Sequence, residues 1–175
     1  MLSDGMGTGG RAAIDAAMTA ELFSKLVRAG ISFDSALEIV NSALLVNGID
    51  ESVSTLDVAC IDLYTGETEF MKAGGAATFV RKKNKAAKLE LAALPAGILR
   101  DVKFEKAYSP LSSGDIILMV SDELLTENDS WIISELINYT GDSAQEFADL
   151  IANEARIRKE NVREDDVTVL CMILD

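Results

Sequence analysis

The chain has 175 residues, 49% of them apolar, which is long enough for one globular domain and short for two. Its 16 basic and 29 acidic residues leave a formal net charge of −13, which repels phosphate backbones and anionic lipid and argues against nucleic acid or a membrane surface as partner. There is no histidine, so Ser-His-Asp and Cys-His catalysis and every zinc site with an imidazole ligand are excluded.

In chain order, the opening Asp4-Gly5-Met6-Gly7-Thr8-Gly9-Gly10 reads as a glycine-rich turn that leads into a helix with no strand before it. From Arg11 to Ala29, Ala13, Ala16, Ala20, Phe23 and Val27 recur at helical spacing and predict one buried stripe, closed by Gly30. A second helix follows over Asp34–Val46, capped by Asp34 or Ser35, with Glu38 completing a capping box and Ala36, Leu37, Val40, Ala43 and Leu44 facing inward. The rhythm then changes to strands at Thr55–Tyr64, Glu67–Lys72 and Ala77–Lys82, a spacing that predicts an antiparallel meander.

Two more strands are expected around Val102–Ser109 and Ile116–Ser121. The second is a continuous apolar run that implies burial on both faces. Helices return at Ser130–Asn138 and Ser143–Arg158, and Val167–Leu174 reads as a closing core strand. Short strands flanked by helices in this order point to an α+β layered domain over residues 1–175.

The two cysteines, Cys60 and Cys171, each sit inside an apolar run and read as reduced core thiols of a cytoplasmic protein rather than a disulfide or a metal site. No stretch approaches the roughly 20 apolar residues needed to span a bilayer. The basic cluster Arg81-Lys82-Lys83-Asn84-Lys85 is too small and turn-like to overturn the acidic balance.

Three groups of acids stand at the edges of core elements. Asp4 heads the glycine-rich loop, Asp122 and Glu123 follow the most apolar strand, and Glu164-Asp165-Asp166 precede the last one. Adjacent carboxylates repel unless a cation or water offsets them, and an all-oxygen donor set suits a hard ion such as Mg²⁺ or Mn²⁺. Exposed turns and a solvated strand end account for each group taken singly. The glycine loop lacks the Gly-Lys-Ser/Thr ending of a P-loop, so by itself it is a structural turn or a phosphate cradle.

The ordered set is more specific than its parts. Asp4-Gly5-Met6-Gly7-x-Gly9, two helices, Ser54-Thr55-Leu56-Asp57, Lys72-Ala73-Gly74, Ser121-Asp122 and Asp165-Asp166-Val167-Thr168 occur in the order of the metal-dependent (PPM-type) protein phosphatases. More narrowly, the chain resembles the phosphatase domain of the stage II sporulation protein E family, from Asp4 to the last strand.

That resemblance implies a β-sandwich of antiparallel sheets flanked by helices in four αββα layers. It also implies hydrolysis of protein phosphoserine or phosphothreonine with two Mn²⁺ or Mg²⁺ ions. Carried over by motif, Asp4 bridges both metals, the Gly5 carbonyl completes one of them, and Asp122 and Asp165 hold the other. Asp166 stands where many relatives have Asn, and Arg11 is a candidate phosphate contact. The implied partner is a phosphorylated regulatory protein of the anti-sigma-factor antagonist type, and the helices Arg11–Ala29 and Asp34–Val46 match a pair that switches metal binding.

Two departures stand against that pattern. Glu123 occupies the position where relatives usually have Gly, which adds charge beside the metals. The family places strands ahead of the Asp-Gly loop, whereas three residues precede Asp4 here. The expectation is therefore a domain incomplete at its N-terminus, with a sheet edge that favours a homodimer. The alternative reading is a catalytically weak or inactive phosphatase-like module that regulates by binding. A third is a phosphate- or nucleotide-binding protein built on the glycine loop.

Overall fold

A computed structural model describes residues 1–7, 9–47, 53–100, 104–125, 129–158 and 167–175. The elements run β1 (Leu2–Gly5), α1 (Gly10–Arg28), α2 (Phe33–Asn47), β2 (Ser54–Ile61), β3 (Glu67–Ala73), β4 (Thr78–Lys82), β5 (Lys85–Leu89), β6 (Glu105–Pro110) and β7 (Ile116–Val120). After β7 come a single 3-10 turn (Asp122–Leu124), α3 (Ser130–Asn138), α4 (Ala144–Arg158) and β8 (Val169–Ile173). These form two antiparallel four-stranded sheets, ordered β1-β2-β3-β6 and β5-β4-β7-β8, with four α-helices. The α+β class expected from the element order holds.

The chain divides into two compact units. In the first, residues 1–61, 69–75 and 91–108, helices α1 and α2 cover one face of β1-β2-β3. Leu56 and Val58 of β2 and Met71 and Ala73 of β3 meet Phe23 of α1 and Leu37, Val40 and Leu44 of α2 in one dry cluster. The alternation along β2 and β3 leaves Thr55, Asp57, Phe70 and Lys72 on the opposite face.

In the second unit, residues 62–68, 76–90 and 109–175, all five residues of β7 are buried, as its unbroken apolar run predicts. Phe79, Ile116, Leu118 and Val120 pack against Ile132 and Leu136 of α3 and Phe147 and Ile151 of α4. Arg81 of β4 donates to the carbonyls of Leu136 and Tyr139 at the end of α3 and to that of Gly114. It thereby satisfies acceptors that a helix C-terminus leaves open.

Several elements differ from the sequence expectation. Asp4 and Gly5 lie in strand β1, paired with Thr55 and Ser54, rather than in a turn. The buried face of α1 carries Ala12, Asp15, Thr19 and Phe23, while Ala13 is exposed. Hydrophobic counting missed that face because two of its four residues are polar.

Helix α2 starts one residue earlier than expected. Its cap is Ser32, whose Oγ accepts from Ser35 N at 3.3 Å, in place of the Asp34 or Ser35 cap and the capping box with Glu38. Strand β4 does not continue the meander. It pairs with β5 and β7 in the other sheet, after Gly74 (φ +66°), where a Cβ would stand 2.4 Å from Pro95 Cγ. Strand β5 went unforeseen because Lys-Ala-Ala-Lys-Leu has helical rather than strand propensity, and its pairing across the Lys83-Asn84 turn overrides that preference.

Candidate metal centre

Asp4 sits one residue from the end of β1, and its main chain is held from the neighbouring strand by side chains. Asp4 N donates to Thr55 Oγ1 at 3.1 Å, and the Asp4 carbonyl accepts from Ser54 Oγ at 2.9 Å and from Thr55 Oγ1 at 3.3 Å. Ser54 is fully buried and fixed on its other side by paired backbone bonds with Ala96, at 3.0 and 2.9 Å.

Gly5 is required by close approach. A Cβ there would lie 1.9 Å from the Ala12 carbonyl oxygen, so the first turns of α1 rest directly on the strand that carries Asp4. Gly7 (φ 107°) and Gly9 (φ 88°) then take the left-handed backbone that brings the chain round into α1. The loop is thus a device for seating a helix against β1, and it leaves Asp4 at the strand end.

In the second unit, β7 ends at Val120, and Ser121 turns the chain into the 3-10 turn that holds Asp122. Ser121 is pinned twice to Thr168: its N donates to the Thr168 carbonyl, and its Oγ accepts from Thr168 N, both at 3.0 Å. Asp122 is exposed. Glu123 beside it is half-buried, and its Oε2 is enclosed without a hydrogen-bond partner among the described residues. Burial, reinforced by the neighbouring Asp122 carboxylate, pushes the Glu123 carboxyl above its ordinary range.

The structure therefore places Asp4 and Gly5 at the end of an edge strand of one sheet, and Asp122 at the end of a central strand of the other. Asp165 and Asp166 lie outside the described residues; Thr168, three positions after Asp165, is where Ser121 holds the chain. Arg11, the candidate phosphate contact, is drawn toward the buried Asp15 one turn along α1, Nε to Oδ2 3.5 Å.

The donor set fits a hard divalent ion. An enclosed carboxylate oxygen such as Glu123 Oε2, without a hydrogen-bond partner among the described residues, is an electrostatic liability that a cation removes. The thiols are poor competitors: both cysteines are half-buried and outside any disulfide, and burial pushes the Cys171 thiol up to about 11, so it stays protonated at neutral pH.

Two arrangements escaped the sequence reading although their residues lie in the quoted motifs. One is the hydroxyl grip of Ser54 and Thr55 on Asp4. The other is a buried ion pair in which Lys72 Nζ reaches Asp57 Oδ1 at 2.7 Å, both side chains 2% exposed. The available signal for the pair was Asp57 among the apolar residues of β2 and Lys72 in the apolar run that ends β3.

Comparison with known proteins assigns the chain. The sequence model of the family described as stage II sporulation protein E (SpoIIE) matches residues 1–175. Stage II sporulation protein E of Bacillus subtilis (strain 168) is 31% identical over 180 residues, covering 99% of this chain and 22% of the relative. The chain thus spans about a fifth of that relative's length.

Among solved structures, the PP2C phosphatase domain with a fragment of the regulatory domain of B. subtilis SpoIIE superposes with a TM-score of 0.85 at 32% identity. It covers 97% of this chain and 52% of that one. The Mn-presoaked phosphatase domain of the same protein matches with a TM-score of 0.63 at 28% identity, over 90% of this chain and 73% of that one. No described helix is long and apolar enough to cross a membrane. With its whole length matched by the family model and its two sheets and four helices superposing on the PP2C domain, the chain belongs to the stage II sporulation protein E family and corresponds to its phosphatase domain.

Proposed function

We propose that this chain is a metal-dependent protein serine/threonine phosphatase acting in the cytoplasm on a phosphorylated regulatory protein of the anti-sigma-factor antagonist type. The reading is carried by the match of the whole chain to the phosphatase domain of SpoIIE, with Asp4 and Asp122 each delivered at the end of a sheet strand. In this reading Asp4 would serve both of two divalent ions, the Gly5 carbonyl would help to hold one, and Asp122 and Asp165 would hold the other. That a relative's phosphatase domain was presoaked with Mn supports a divalent ion as cofactor.

Two bound Mn²⁺ or Mg²⁺ ions would supply an activated water and offset the charge of the phosphoryl oxygens. The residues of this chain contribute position and charge. Asp4, on a strand locked by Ser54 and Thr55, presents its carboxylate without a large ordering cost. Ser121, tied to Thr168, fixes the strand end from which Asp122 projects. No proton has to pass through an imidazole, in keeping with a chain that has none.

The test is release of phosphate from a phosphoserine protein at varied Mn²⁺. Asp4→Asn or Asp122→Asn is expected to lower the rate by about 100-fold or more, since each removes a charged ligand. Metal-independent release, or release that survives both changes, refutes the reading.

One observation favours the weaker alternative of a regulatory binding module. Glu123 places a second, burial-perturbed carboxyl directly beside Asp122. Under that alternative, Mn²⁺ and the phosphoprotein bind but turnover is absent, and Glu123→Gly restores it.

A further inference from the structure

Two hydroxyls converge on the main chain of Asp4, and a third braces them. Thr55 Oγ1 meets both ends of that residue, accepting from its N–H and donating to its carbonyl, while Ser54 Oγ donates to the same carbonyl. Ser3 Oγ donates to the Thr55 carbonyl at 2.9 Å and lies 3.0 Å from Ser54 Oγ, tying the grip across both strands.

The strand that holds these hydroxyls is itself immobilised. Ser54 exchanges two backbone bonds with Ala96, and the following residues are held by the buried Asn41 of α2, which accepts from Gly97 N and donates to the carbonyls of Leu99 and Arg100. Ordinary ladder pairing positions an edge strand by its backbone alone, and a four-residue edge strand secured in that way frays. Here side-chain bonds add to the ladder, and those of Ser54 and Thr55 take hold of the main chain of Asp4.

Resting on the two-metal reading above, we propose that Ser54 and Thr55 are positioning residues for the metal ligands Asp4 and Gly5. By holding the Asp4 carbonyl they orient the Asp4–Gly5 peptide plane, and so fix where the Asp4 carboxylate starts and where Gly5 sits; the Gly5 carbonyl lies on the next peptide, whose Met6 N donates to the Val53 carbonyl at 2.9 Å. Neither hydroxyl is placed on the metal. They act through Asp4, as the outer partners of metal ligands do.

Thr55→Val removes donor and acceptor while keeping the branched shape that suits a strand. It is expected to raise the Mn²⁺ dissociation constant of the 175-residue chain, followed by electron paramagnetic resonance of free Mn²⁺, by about 10- to 100-fold. Ser54→Ala is expected to act in the same direction, and Thr55→Ser to restore tight binding. Ser42→Ala, which deletes an exposed hydroxyl on α2 bonded only to its own helix, is expected to leave binding unchanged. Should Thr55→Val fail to fold, Ser54→Ala puts the same question through the other hydroxyl.

Hydrogen exchange at the Asp4 amide of the metal-free chain supplies a second readout, expected to quicken in Thr55→Val and to return to the native rate in Thr55→Ser. Native Mn²⁺ affinity in both Thr55→Val and Ser54→Ala overturns the proposal and leaves the metal site standing. Mn²⁺ binding that ignores Asp4→Asn refutes the two-metal reading and the positioning role with it, while the exchange rates still report whether the grip exists.

Discussion

Replacing Lys72 by methionine keeps an unbranched apolar stem and removes an ammonium that lies 2.7 Å from Asp57 Oδ1, at a site where both side chains are 2% exposed. The other carboxylate oxygen, Oδ2, is enclosed without a hydrogen-bond partner among the described residues, and the Met1 ammonium nearby favours the charged form less than Lys72 does. Burial already pushes the Asp57 carboxyl above the usual range, and the charge and hydrogen bond of Lys72 only partly oppose it. Removing Lys72 therefore raises it further. Breaking a buried pair costs about 3–5 kcal/mol when the remaining partner stays charged.

The sign of the pH dependence follows from the raised carboxyl. The folded chain holds the Asp57 proton more tightly than the unfolded chain, so the stability linked to it is present at low pH and lost as pH rises through the folded value. In Lys72→Met that loss runs to higher pH, at up to about 1.4 kcal/mol per pH unit. Urea unfolding of both proteins at about pH 4.5 and about pH 8 is expected to show a small difference at the lower pH and about 3–5 kcal/mol at the higher. The double variant Asp57→Leu/Lys72→Met is expected to recover most of the loss, because no charge is left buried. A pH-independent difference, or a double variant as unstable as the single one, refutes the reasoning.

Gly5→Ala sets a methyl against the Ala12 carbonyl oxygen, where a Cβ would lie 1.9 Å away, and is expected to cost about 3 kcal/mol or more by forcing α1 off β1. Gly10→Ala, with nothing within 4 Å of its Cβ, should stay within about 0.5 kcal/mol, and equal melting temperatures for the two would contradict the packing account. Asn41→Leu leaves the Gly97 N–H and the Leu99 and Arg100 carbonyls without their side-chain partner. It is expected to lower stability by about 2–3 kcal/mol in urea unfolding and to speed proteolysis near residue 98, and unchanged protease resistance would count against it.

Much of the fold was readable where burial and periodicity coincide. Both faces of β7 are apolar because both are covered, and α2 shows its inward residues Ala36, Leu37, Val40 and Leu44 at helical spacing, all buried. Reading failed where a polar residue occupies a buried position. Asp15 and Thr19 hide the inner face of α1, and Asn41 was passed over on α2 because its value lies in three bonds to a loop more than fifty residues away.

For the site, a carboxylate at the boundary of a core element is a local feature, which nominated Asp4, Asp122 and Asp165, while Gly5 came with the family resemblance. The identity of what holds them was not local. Thr55 reads as an ordinary strand residue until β1 is laid beside β2 in the register that pairs it with Asp4. Lys72 reads as a solvated lysine until β2 and β3 bring it to Asp57.

Composition and periodicity were sufficient for an α+β chain, since they depend on residue type and near-neighbour spacing, and the ordered motifs carried the resemblance to the phosphatases. Strand partners, the placing of β3 and β4 in different sheets, the cap at Ser32 and the grip on Asp4 were decided by tertiary structure alone. Those features are hydrogen bonds and ion pairs between segments that can lie more than fifty residues apart, and their energy depends on a register that no local propensity encodes.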